Sequence, residues 1–88
     1  MNENKNLTEV QESKMTPRQK DIYIVIDEWW KRFGFGPSVD DIMSMTGDKG
    51  RGNVARICKV LVKLGACKHT PGKARSIRPS YIRWRNLE

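Results

Sequence analysis

Arg51, Asn53, Arg56, Lys59 and Lys63 fall within one short stretch, and no acid stands between Lys49 and Arg85. Their types point to a polyanion. A guanidinium or ammonium can bridge guanine O6 and N7, and a carboxamide can bridge adenine N6 and N7. A helix that needs only solubility mixes its signs, because Glu and Lys neighbours stabilise it. This stretch has no acid at all. Asn53, Arg56 and Lys59 therefore offer contacts to base edges. Lys49, Arg51 and Lys63 flank the helix ends and suit phosphates better.

The charge of the whole chain agrees. Residues 1–48 hold six basic and nine acidic residues, net −3, whereas residues 49–88 hold eleven basic residues and one acid, net +10. Such asymmetry points to nucleic acid before membrane. The bland reading of the same charge is a solvated face. No stretch approaches the roughly 18 apolar residues of a membrane span. The N-terminus, MNENKNLTEVQESK, lacks the apolar centre of a signal peptide. At 88 residues there is room for one core.

The elements that position these side chains follow from caps and periodicity. Residues 1–14 have no periodicity and are expected to be a disordered arm. Thr16 suits an N-cap, Pro17 the first helical position and Gly34 the stop. Between them Ile22, Val25, Ile26, Trp29 and Phe33 recur at helical spacing, with Tyr23 and Trp30 beside the stripe and Ile24, Lys20, Asp27 and Lys31 on the opposite face. Ser38, with Asp41 three residues on, approximates a capping box for a second helix that Gly47 closes. In it Val39, Ile42 and Met43 face inward, and Asp40 and Asp41 suit the helix dipole. DKGRG is a turn of the length that joins crossed helices. A third helix is predicted over 53–64. Its core stripe is Val54, Ile57, Cys58, Leu61 and Leu64, and Gly52, Arg56, Lys59 and Lys63 share the far side. Residues 66–78 read as a hairpin with Pro71-Gly72 at its turn, Lys73 at its tip, Arg75 and Arg78 on the return and Ile77 toward the core. Pro79 ends it. The folded unit is 15–79, and 80–88 is a basic, aromatic tail around Tyr81 and Trp84. The fold class is α+β, mostly α: a winged helix-turn-helix, with three helices followed by a two-stranded β wing.

From Met15 to Arg78 the chain resembles the N-terminal DNA-binding domain of the LexA repressor family. The likeness lies in Met15-Thr16-Pro17-Arg18-Gln19, Gly36-Pro37-Ser38, Asp41-Ile42 followed by Thr46-Gly47, Leu61, Leu64-Gly65 and the closing ARSIR. It implies a third helix in the major groove of duplex DNA. Gly52, Asn53, Ala55, Arg56 and Lys59 would then lie on the reading face, and Lys73 and Arg75 on phosphates. Ser38, at the entry to the second helix, joins the DNA-facing set. The family often has a small hydroxyl residue where Gly50 stands and acids near Ala55 and Arg56, so a different operator is expected here. The sequence ends before the family's second domain, which dimerises and cleaves itself with a Ser/Lys pair. No self-cleavage is expected, and self-association is expected to be a weak homodimer, with the tail as a further surface for a protein partner.

The expected function is a small sequence-specific regulator of bacterial or phage origin, most simply a repressor. It would be cytoplasmic and nucleoid-associated, or in the host cytoplasm if viral. No enzyme activity and no cofactor are expected. Cys58, Cys67 and His69 lack the four-ligand spacing of structural zinc and read as core thiols and a surface imidazole. Trp29, Trp30 and Phe33 read as core. The alternative is a winged-helix module whose basic face binds an acidic protein. RNA binding would lack a recognisable motif.

Overall fold

Thr16 starts the first helix by reciprocal bonding: its hydroxyl accepts from the Gln19 N–H, and the Gln19 side chain accepts from the Thr16 N–H. This satisfies two of the orphan donors at a helix start. The computed structural model describes residues 14–73 and 75–82. The expected arm, apart from Lys14, and the tail beyond Ile82 lie outside these residues. Helix α1 spans Pro17–Phe33 and ends on Gly34 at φ 78°. Ser38 and Asp41 form the same reciprocal cap on α2, Val39–Thr46, which Gly47 ends at φ 79°. Helix α3 spans Arg51–Lys63. Strands β1, Cys67–Lys68, and β2, Arg78–Pro79, pair antiparallel with Cys67 opposite Pro79 and Lys68 opposite Arg78. The architecture is the expected winged helix: three helices, then a two-stranded sheet.

The core draws on every element. Ile22, Tyr23, Ile26 and Trp30 of α1, Ile42 of α2, Val54 and Leu61 of α3, and Ala66, Cys67 and Ile77 of the wing are buried together with Met15. Val25, Val39, Met43, Ile57, Cys58 and Leu64 pack on its margin. Burying apolar area of this kind is worth roughly 25 cal/mol per Å², and it fixes α3 against α1 and α2 through Leu61 and Val54.

Several details differ from expectation. Helix α3 begins at Arg51 rather than 53, with Gly50 as an N-cap that supplies no side-chain bond. The inward face of α1 is rotated toward Tyr23 and Trp30, so Phe33 is 48 % exposed. Phe33 instead stacks with Trp29 at 4.5 Å between centroids and with Phe35 at 5.8 Å. Asp27, expected on the outward face, is only 5 % exposed. It is retained because Tyr81 donates its hydroxyl to Oδ1, and Lys31 lies 3.2 Å from Oδ2. A buried carboxylate needs such partners. Pro79 does not follow the hairpin; it is part of β2 and is buried.

The wing is held largely by single polar atoms. The Ser76 hydroxyl accepts from Thr70 N–H at 3.0 Å and donates to Thr70 C=O at 3.1 Å, closing the loop where the strands stop. The Trp30 indole N–H donates to Ile77 C=O at 2.5 Å, and Gly36 N–H donates to Arg75 C=O at 2.9 Å. Gly36 permits this approach, because a Cβ there would meet Ile77 C=O and lie 2.8 Å from Arg75 C=O. Arg78, on the return, is buried and donates to Ser76 C=O at 2.8 Å.

Candidate nucleic-acid interface

The α3 surface carries its cations in three different states. Lys49, Lys59 and Lys63 are exposed and make no ion pair among the described residues. Lys73, on the wing loop, is likewise exposed and unpaired among them. Arg56 is exposed but donates to the Asn53 side-chain carbonyl one turn earlier, so the two candidate base readers are coupled. Arg51 and Arg75 are ion-paired, each to an acid in the first turn of α2. Arg51 Nη1 donates to Asp40 Oδ1, and Arg75 Nη1 lies 2.8 Å from Asp41 Oδ2.

The local chain explains these placements. Arg51 is the first residue of α3, and the short turn after Gly47 brings it back to α2. Arg75 is the one non-glycine residue with positive φ among those described, at 55°. Its guanidinium reaches the start of α2, and it also lies over the ring of Phe35, in the segment before α2, at 5.3 Å. Asp41 is doubly engaged. The Ser38 backbone N–H, above all, holds its carboxyl below the ordinary 3.8; burial opposes this, and the Arg75 and Ser38 side chains add to the lowering. The Ser38 hydroxyl accepts from the Asp41 N–H at 3.0 Å and is thereby tied to the α2 cap.

Between α3, the start of α2 and the wing lies an open cleft of about 520 Å³. Val39, Ile42, Ala55, Cys58, Val62 and Ile77 give it apolar walls, and Lys59, Lys73, Arg75 and His69 also line it. Burial pushes the Cys58 thiol up to about 11, and burial foremost also raises Cys67, so both are protonated, poor nucleophiles near neutrality. Among the described residues no three His, Cys, Asp or Glu side chains come together as a metal site. None of their helices is long and apolar enough to cross a membrane.

The structure thus brings Lys59, Lys73 and Arg75 around one cleft and Asn53 against Arg56. It places Arg51 on Asp40, while Lys49 and Lys63 stand at opposite ends of α3. Sequence reading missed the counter-ions: Asp40 and Asp41 read as dipole-stabilising acids, and Asp41 also as the partner of Ser38 in the cap. Nothing in their spacing to Arg51 or Arg75 marked them, because one pair is 11 positions apart across the turn and the other 34 positions apart across α3.

The sequence profile described as the LexA DNA binding domain matches residues 12–76, most of the chain. The chain belongs to the LexA DNA-binding domain family. No curated protein shows a significant match to it. As a LexA-type domain it is a DNA-binding regulator, and the matched unit is a DNA-binding domain rather than an enzyme domain. The winged helix-turn-helix described above is the fold that the LexA resemblance implied.

Proposed function

We propose that this LexA-type domain recognises an operator by laying α3 in the major groove and represses by occupying the site. Asn53, Arg56 and Lys59 meet base edges. Lys49, Arg51 and Lys63 meet phosphates beside the groove, Lys73 and Arg75 carry the wing to the backbone, and Ser38 at the start of α2 completes the set. One observation carries this reading: the outward face of α3 presents exposed cations with no acid of its own. The N-terminal turn of α3 contributes further, since Gly50 leaves the first amides without a side-chain cap and α3 has no acid in its own first turn. Residues 15–79 form the binding unit in this reading, with 1–14 and 80–88 flanking it. One winged module covers one half-site, so a two-half-site operator takes two chains.

Selection on random duplex DNA yields the best site, and two variants then separate the roles. Arg56→Ala weakens that site by about 1–3 kcal/mol and relaxes preference at one base pair. Lys73→Ala weakens all duplexes alike and lowers the salt slope by about one unit. An Arg56→Ala chain that bound every duplex as the wild type does would remove α3 from the groove. The apolar-walled, cation-lined cleft would then favour the second reading, an acidic protein partner with an apolar anchor.

A further inference from the structure

We propose that Asp40 is a positioning residue for DNA recognition, holding Arg51 in one orientation and at the same time discouraging loose, charge-driven association. The inference rests on the interface proposed above. Asp40 lies in the first turn of α2, and its side chain is 71 % exposed; its partner Arg51, first residue of α3, is 64 % exposed. A pair this open to solvent contributes little to stability. It also differs from its neighbour. Asp41 is bound into the α2 cap and its side chain is mostly buried, so the Asp41–Arg75 pair fastens the wing to α2. Asp40 makes no such cap bond; its partner is a cation that faces the proposed DNA surface.

The carboxylate acts in two directions. A duplex carries dense negative charge, so an exposed acid on the docking face weakens every loose contact with it. Arg51 is also held by that acid, which shortens the reach of its charge. In a docked complex the situation reverses. A guanidinium has five N–H donors in a fixed fork, and Asp40 engages one end of it. The remaining donors are held in one direction, so they meet a phosphate only when the domain sits in the right register. Asp40 therefore lowers non-specific affinity and preserves affinity for the correct site.

The test compares the full chain with Asp40→Asn on a selected duplex and a scrambled one, at several salt concentrations. Asp40→Asn raises affinity for the scrambled duplex by about 1.4- to fivefold, the range spanned by exposed ion pairs. Affinity for the selected duplex stays level or falls, so the ratio of the two drops. Thermal melts of both chains show that the fold is intact. In an Arg51→Gln background the same substitution no longer lowers the ratio. Equal gains on both duplexes would reduce Asp40 to bare charge and overturn the proposal, as would no change on either. A wild-type chain that bound both duplexes alike removes the interface itself and the proposal with it. A wild type that discriminates, with Asp40→Asn discriminating equally well, overturns the positioning role alone.

Discussion

The helical body and the wing of this domain are stabilised by different physics. In the body, Ile22, Ile26, Ile42 and Leu61 are wholly removed from solvent and meet through apolar surface. That attraction has no direction, so several arrangements of similar volume would serve. The wing has strands of two residues each. It depends on particular atoms: a Trp30 N–H, a Ser76 hydroxyl, a Gly36 backbone with no Cβ, and an Arg75 guanidinium on Asp41. The body tolerates exchange of like for like. The wing tolerates little at those few points, and its buried Ala66, Cys67 and Ile77 add a smaller share of the same apolar core.

Three substitutions probe that difference, in falling order of effect. Leu61→Ala removes a side chain from the centre of the body and leaves a cavity, which should cost about 2–5 kcal/mol by denaturant unfolding. A loss no larger than that of a wing variant would show the body is not held mainly by apolar burial. Gly36→Ala adds one methyl group against Ile77 and Arg75 carbonyls, and overpacking of this kind costs about 1–3 kcal/mol. Hydrogen exchange should show the wing amides losing protection before those of α1 and α3; uniform loss would mean that body and wing unfold as one unit.

The smallest effect is a pH dependence. Asp41 has its carboxyl held below 3.8, so its contribution is full above that value and disappears as pH falls through the lower folded value. Wild type should lose more melting temperature than Asp41→Asn on acidification below about pH 4. Equal acid sensitivity of the two chains would show that the Ser38–Asp41–Arg75 link does not tie the wing to α2.

The same contrast explains what could be read from the sequence. Caps are local chemistry, and Thr16-Pro17, Gly34, Ser38-Asp41 and Gly47 marked the limits of α1 and α2 where they occur. The core stripe of α3 was also legible, because Val54 and Leu61 repeat at helical spacing. The start of α3 was not, since Gly50 caps it without a side chain to announce the cap. Asp27 was misplaced because charge normally means solvent. Its partner Tyr81 lies 54 positions away, and periodicity carries no trace of that. The free lysines were visible in the sequence, whereas the acids that pair with Arg51 and Arg75 were legible only once the helices were crossed.

Pro79 has a consequence for the open margin of the wing. The outer margin of a two-stranded sheet is ordinarily a template for another strand. Here the prolyl nitrogen has no hydrogen to offer, and the neighbouring Ile77 carbonyl is already taken by the Trp30 indole. The β2 margin of the wing therefore offers a second chain little to pair with.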